Sequence, residues 1–94
     1  MREREALARE GIVLVNLRLD KETGRLREDP EVLTRGFVYE QDADLLFKET
    51  RRRIAETVSR ANGNLQEDLQ QMLKTFLYNE TRRRPTIFVT MSRS

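Results

Sequence analysis

The clearest pattern in the chain is an alternation of apolar and other residues over positions 12–20. The odd-numbered positions are all apolar and the even-numbered ones are mixed, which is the period of a β-strand with one buried face. We therefore predict a first strand over residues 12–20 with one face against the core. That face comprises Val13, Val15, Leu17 and Leu19.

A turn and a second strand follow. Gly24 ends a turn over residues 21–24, and we expect the chain to return antiparallel from about Leu26. Because proline interrupts strand pairing, the well-formed second strand is predicted over residues 31–40, with Pro30 at its edge or start. Gly36 within it indicates a bulge or a close backbone approach. Alternation then places Arg35, Phe37 and Tyr39 on one face of this strand.

Two helices are predicted between this strand and Pro85. Asp42 is a candidate cap for the first helix, and Asn64 with Glu67 resembles a capping box at the start of the second. The second helix must end before Pro85, and residues 86–91 are predicted as a final strand. At spacings of three and four, the first helix carries the stripe Ala43, Phe47, Thr50, Ile54, Val58 and Ala61, and the second the face Leu65, Leu69, Met72, Leu73, Phe76 and Leu77.

The order strand, strand, helix, helix, strand predicts an α+β domain, in which a small three-stranded sheet carries a two-helix hairpin packed on one face. Residues 11–91 form this single domain, residues 1–10 are a helical turn or a linker, and residues 92–94 are a tail. The last strand should run opposite to the second. It is expected either antiparallel beside the second strand or parallel beside the first.

The uncovered face of the sheet is expected to carry Ile12, Leu14 and half of the last strand. Another copy, another domain of a longer protein, or nothing covers it, since scattered apolar residues are normal on protein surfaces.

Composition narrows the functional classes. The chain has 94 residues, 37% hydrophobic and 36% charged, and its 18 Lys and Arg against 16 Asp and Glu give a net charge of only +2. Such a balance is not typical of a bulk nucleic-acid binder, which usually has a clear basic excess. The chain has no cysteine, and its apolar runs are far shorter than the roughly 20 residues of a membrane span. We therefore expect a cytoplasmic location and no membrane contact.

Candidate catalytic chemistry is limited to carboxylates. Without histidine or cysteine the chain lacks the commonest general base, the commonest nucleophile pairs and the usual zinc ligands. The remaining acidic residues lie in predicted turns and at a helix start, where they serve as caps. We therefore predict that this chain alone is not an enzyme and that it holds no catalytic, metal or cofactor residue. The carboxylates concerned are Asp20, Glu22, Asp29, Glu31, Asp42 and Asp44.

Two arginine runs differ in what they predict. Successive helical residues lie 100° apart, so residues 51–53 cannot form one surface, and the spacings from Glu49 to Arg53 and from Arg52 to Glu56 favour ordinary helix pairs. The run Arg82, Arg83 and Arg84 lies at a helix C-terminus, where charge compensation and a phosphate contact remain equally open.

Arg35 beside Phe37 and Tyr39 is compatible with stacking on an RNA base. We favour an architectural role instead, in which Phe37 is in the core, Tyr39 has its hydroxyl at the rim and Arg35 pairs with a carboxylate.

Three stretches of the chain, in order, resemble the C-terminal domain of ribonuclease J, the bacterial ribonuclease of the metallo-β-lactamase and β-CASP type. The likeness runs from about Leu7 to Met91. Its motifs are Ala8-Arg9-Glu10-Gly11-Ile12-Val13, Thr34-Arg35-Gly36-Phe37-Val38-Tyr39, and Phe76-Leu77-Tyr78 with Thr81 and Arg83-Arg84-Pro85.

The resemblance implies a three-stranded sheet facing two helices, within a cytoplasmic enzyme of RNA maturation and decay. That enzyme would have endonuclease and 5′ to 3′ exonuclease activity at a pair of zinc-type metal ions. The family's histidine-rich metal motif lies in an upstream catalytic domain, so no metal residue is carried onto this chain. Residues 1–10 would then end the connection to that domain. In the family, the terminal domain supports oligomer assembly and full activity.

Three hypotheses follow. An assembly module of a homo-oligomer, dimeric or higher, would use Ile12, Leu14, Arg35, Phe37 and Tyr39 at a subunit interface, with the Gly36 strand in the middle of the sheet. An RNA-contact module would engage phosphate through Arg82, Arg83 and Arg84, and a base through Arg35 or Tyr39. A free-standing adaptor would resemble the family by chance. The first two predict different salt responses, because phosphate binding weakens steeply with added salt whereas an apolar interface barely responds.

Overall fold

The computed structural model describes residues 11–36, 43–61 and 63–94. In chain order the elements are β1 (Ile12–Leu19), β2 (Glu31–Arg35), α1 (Ala43–Arg60), α2 (Leu65–Thr81) and β3 (Thr86–Arg93). This order confirms the predicted α+β fold. No helix in the described ranges is long and apolar enough to cross a membrane.

The sheet is mixed, with strand order β2-β1-β3. β1 pairs antiparallel with β2 and parallel with β3, so the last strand takes the second of its two expected positions and runs opposite to β2. The expectation that the Gly36 strand is the middle strand is wrong. β1 is central because it is the long apolar strand, whereas β2 has only five residues and lies between Pro30 and Gly36, which suits an edge.

The core lies between the sheet and the helical hairpin. All four predicted residues of β1 are buried, which confirms its core face. On α1 the predicted stripe needs one correction, since Leu46 rather than Phe47 is buried one turn before Thr50. A spacing of four residues puts Leu46 directly in line with Thr50, whereas Phe47 is only half-buried beside it. The helical core residues are Leu46, Thr50, Ile54 and Val58 on α1, and Leu69, Leu73, Phe76 and Leu77 on α2.

Local signals set the start and end of α2. The Asn64 side chain accepts a hydrogen bond from the Glu67 backbone N–H at 3.0 Å, as the capping pattern predicted. At the other end Arg82 adopts a left-handed conformation with φ 60°, and its N–H donates to the Tyr78 carbonyl at 2.7 Å. This cap turns the chain before Pro85, so the helix ends where the sequence requires.

Three strand ends differ from their predictions, and the smallest difference is that β1 ends at Leu19 instead of residue 20. β2 ends at Arg35 instead of residue 40, because Gly36 has φ 69°, a left-handed value that leaves the strand conformation. A Cβ at Gly36 would lie 3.6 Å from the Gly11 Cα, which is an ordinary contact distance, so the position favours glycine for its positive φ and not for a close backbone approach. β3 continues to Arg93 instead of residue 91, so residues 92 and 93, predicted as a tail, pair with β1.

Several predictions concern residues outside the described ranges. They are the linker over residues 1–10, the continuation of the second strand over residues 37–40, and the cap at Asp42.

Candidate functional site

The face of the sheet opposite the helices carries a row of apolar side chains that crosses all three strands. Leu14 on β1 is paired with Leu33 on β2 and with Phe88 on β3. Leu33 is 47% exposed and Phe88 46%, while Leu14 and Ile12 are half-buried. Because residues in register share a face, we call Ile12, Leu14, Leu33 and Phe88 the apolar row.

The same face becomes polar towards the other end of β1. Asn16 donates to the Glu31 carboxylate at 2.8 Å and accepts a hydrogen bond from the Thr90 hydroxyl. Further along, Arg18 and Glu28 form an ion pair at 3.3 Å. The polar half therefore satisfies its own hydrogen bonds, whereas the apolar row leaves large hydrophobic side chains in contact with solvent.

The structure brings together three of the five predicted interface residues. Ile12 is paired with Arg35, next to Leu14, on this open face. Phe37 and Tyr39 lie outside the described residues. The carboxylate partner expected for Arg35 is absent among the described residues, in which every ion pair joins other side chains.

Sequence reasoning missed Leu33 and Phe88. Leu33 has the same parity as Arg35, so alternation alone places it on the same face. Phe88 needs the register of β3 against β1, which no local pattern supplies.

The second predicted site, the arginine run after α2, is built around an aromatic ring. The guanidinium carbons of Arg82 and Arg84 lie 5.5 Å and 4.8 Å from the centre of the Tyr78 ring. Lys74 is one turn before Tyr78 on α2, and it lines a surface groove together with Arg84 and Pro85. We call Lys74, Tyr78, Arg82 and Arg84 the Tyr78 cluster.

Arg83 differs from its two neighbours. It is half-buried, and its backbone N–H donates to the Thr81 hydroxyl at 3.1 Å. This contact belongs to the turn that joins α2 to β3. The predicted run therefore separates into Arg82 and Arg84 on the tyrosine and Arg83 in the turn.

Three arginines of α1 form ion pairs, and the pairs from Glu49 to Arg53 and from Arg52 to Glu56 are those that the spacing predicted. Arg52 lies 2.6 Å from Glu49 and 2.9 Å from Glu56, and Arg53 lies 3.1 Å from Glu49. The hydrogen bond from Arg52 lowers the pKa of Glu49 to about 2. Arg60 also pairs with Glu56. This surface of α1 therefore carries a row of ion-paired side chains.

Two of the carboxylates weighed for chemistry, Asp20 and Glu31, make structural contacts. Asp20 accepts hydrogen bonds from the backbone N–H groups of Thr23 and Glu22, and these bonds lower the pKa of its carboxyl. Glu31 is bonded to Asn16. Over residues 11–36, 43–61 and 63–94, no three acidic side chains gather into a group that could hold a metal ion.

These observations define a class of protein: a small α+β domain with one sheet face covered by a helical hairpin and the other open and partly apolar. The family model of the ribonuclease J C-terminal domain matches residues 1–94. The chain therefore belongs to the ribonuclease J C-terminal domain family, and a resemblance by chance is excluded.

Curated relatives agree with this family. The chain is 32% identical to ribonuclease J2 of Bacillus subtilis (strain 168) over 94 residues, which is 93% of this chain and 17% of that protein. It is 27% identical to ribonuclease J 2 of Staphylococcus aureus (strain NCTC 8325 / PS 47) over 99 residues, covering 98% of this chain and 18% of that protein. The chain thus spans less than a fifth of the length of these relatives.

Proposed function

We propose that this chain is the non-catalytic C-terminal domain of a ribonuclease J-type enzyme that processes and degrades RNA, and that it supports assembly of the enzyme's subunits. The observation that carries the proposal is the apolar row on the open sheet face. Burial of such side chains is favourable by about 25 cal/mol per Å² of apolar surface, and their exposure has no compensating benefit to the domain alone.

The partner we propose is a second copy of the same domain, in a dimer or a higher homo-oligomer. In a two-fold interface the same patch meets itself, so an apolar row is self-complementary without any matching of charges. Arg35 lies beside Ile12 at the rim, where an arginine keeps its charge in water while its aliphatic stem covers apolar surface. Phe37 and Tyr39 would extend the same contact.

Catalysis in this proposal belongs to a part of the enzyme outside this chain. The described residues offer carboxylates that cap turns or pair with neighbours, which is not an arrangement for acid-base chemistry. Metal-dependent endoribonuclease and 5′ to 3′ exoribonuclease activity, with zinc-type ions, would reside in the upstream catalytic domain of a cytoplasmic enzyme.

Light scattering of the chain over a concentration range tests the proposal. We expect wild-type mass to rise above that of a monomer with concentration, with little response to added salt. Leu33→Lys and Phe88→Lys should each shift this transition to at least about tenfold higher concentration, since a buried unpaired ammonium opposes an apolar contact. Gln71→Lys, an equal charge change on an exposed position of α2, should leave the transition unchanged.

A wild-type chain that stays monomeric at every concentration would contradict assembly through this face. So would an oligomer that dissociates equally in the Gln71→Lys chain, because the effect would then come from net charge. Thermal melts of all three variants check that the monomers remain folded. The two substituted side chains are half exposed, so little loss of stability is expected.

A further inference from the structure

Arginines of both helices lie over aromatic rings, Arg53 of α1 over Phe76 at 4.5 Å and the arginines after α2 over Tyr78, but they differ in their carboxylate partners. On α1, Glu49 and Glu56 occupy the donors of Arg52, Arg53 and Arg60. In the described part of the chain, neither Arg82 nor Arg84 has a carboxylate within ion-pair distance. A tyrosine ring orients a guanidinium without consuming its N–H donors, so those donors remain open to an anion.

The local fold sets this arrangement. Tyr78 and Arg82 are four residues apart, and the left-handed cap at Arg82 turns the chain so that Arg84 passes the same ring. Pro85 disfavours a helical conformation at Arg84. The two cations therefore lie over one ring although Arg83 separates them in sequence, and Lys74 adds a third cation in the groove that Arg84 also lines.

The nearest carboxylate in sequence does not belong to this surface. Glu80 lines a different groove, between the two helices, together with Glu49 and Arg53. The Tyr78 cluster is therefore a local excess of positive charge in a chain whose net charge is only +2. Phosphate is the anion that planar guanidinium groups bind best, through two parallel hydrogen bonds.

We infer that the Tyr78 cluster is a binding site for the phosphodiester backbone of RNA, in which Arg82, Arg84 and Lys74 contact successive phosphates and Tyr78 positions the two arginines. The ring is already covered by guanidinium groups, so the contact is to the backbone and is independent of base sequence. The choice of RNA rests on the proposed ribonuclease function, but the site does not require subunit assembly. It would keep bound RNA near the enzyme without taking part in cleavage.

Fluorescence anisotropy with a labelled oligouridine of about 16 nucleotides tests the site. Arg82→Gln/Arg84→Gln should weaken binding about tenfold or more at low salt and reduce the slope of log K against log salt by about 1.4, or 0.7 per lost phosphate contact. Arg25→Gln, which removes one charge where the double variant removes two, is the control, since Arg25 is exposed and lies on the β1–β2 turn. It should change binding less than about twofold.

Variants of Tyr78 test its positioning role. Tyr78→Leu should weaken RNA binding, because the guanidinium groups lose the surface that orients them, whereas Tyr78→Phe keeps the ring and should bind as wild type. Urea unfolding of each variant gives the independent measure of fold. Loss of stability in Arg82→Gln/Arg84→Gln with unchanged RNA affinity would overturn the inference in favour of charge compensation at the helix end.

The other outcomes are equally decisive. No RNA binding by the wild-type chain, or equal weakening by Arg25→Gln, would overturn the site. Binding to phosphatidylglycerol vesicles without binding to RNA would also overturn it. Light scattering of the same samples separates this test from the assembly proposal. A variant that still self-associates but no longer binds RNA supports the site. A monomer that binds RNA supports the site and contradicts assembly.

Discussion

Thr50 is the one polar side chain among the described residues that is fully buried. It is 0% exposed, and its hydroxyl donates to the Leu46 carbonyl at 2.7 Å, one turn earlier in α1. That carbonyl also accepts the backbone N–H of Thr50 in a regular helix. The hydroxyl therefore adds a second bond to an acceptor that is already satisfied, and it occupies a position where a methyl group would contact the core.

We predict that Thr50→Val raises the free energy of unfolding by about 1 kcal/mol, because a methyl replaces a hydroxyl in the core and no acceptor loses its last partner. Thr57→Val is the matched control. Thr57 makes the same bond, to the Arg53 carbonyl at 2.8 Å, but is only half-buried, so its change should stay within about 0.5 kcal/mol. Urea denaturation measures both, and a Thr50→Val chain less stable than wild type would show that the hydroxyl is required.

At the scale of elements, α2 protects the open edge of β3. The backbone N–H of Thr86 donates to the Gly11 carbonyl. The backbone N–H and C=O groups of even-numbered residues in β3 therefore point towards β1, and those of odd-numbered residues point to the outer edge of the sheet. Gln70 and Gln66 donate their side-chain amides to the carbonyls of Ile87 and Val89, each at 3.0 Å. The glutamines thus occupy acceptors that an added strand would need.

Replacing these glutamines should weaken the domain and expose the edge. Gln66→Ala/Gln70→Ala removes two hydrogen bonds and should lower the free energy of unfolding by about 1–2 kcal/mol. Gln71→Ala makes the same change of residue type on an exposed position of α2 that makes no side-chain hydrogen bond to β3, and it should stay within about 0.5 kcal/mol of wild type. Thermal melts and aggregation onset measure both effects. If the double variant matched the Gln71→Ala chain, the side-chain bonds would contribute nothing.

The elements that the sequence predicted well depend on local signals. The alternation over β1 places Val13 and Val15 in the core, and Asn64 fixes the start of α2 through one hydrogen bond three residues away. The strand neighbours of β1 depend instead on contacts between distant residues, such as Thr86 with Gly11. The early end of β2 follows from the positive φ of Gly36, which a glycine permits but does not require.

At the scale of the whole molecule, each candidate surface contains residues that the sequence pattern could place and residues that only the folded structure brings there. Leu14 was predictable on the open face, but its neighbour Phe88 comes from the opposite end of the chain through the register of a parallel pair. The arginines after α2 were predictable as a cluster. The four-residue spacing of Tyr78 and Arg82 was visible in the sequence, whereas the return of Arg84 to the same ring depends on the left-handed cap.

The last three residues hold the C-terminal end of β3 against the end of β1 and the turn after it, so we predict that they are needed for stability. Ser94 donates its N–H to the Leu19 carbonyl at 3.1 Å, and its own carbonyl accepts hydrogen bonds from Lys21 at 3.2 Å and Arg27 at 2.9 Å. Deletion of residues 92–94 should lower the free energy of unfolding by at least about 2–3 kcal/mol, since three bonds of Ser94 of about 1 kcal/mol each are lost together with the pairing of residues 92 and 93 with β1. Ser94→Ala keeps the backbone bonds and should resemble wild type. An unchanged denaturation midpoint after the deletion would instead support the tail expected from the sequence. The pairing of residues 92–94 with the end of β1 and the turn after it would then contribute nothing to stability.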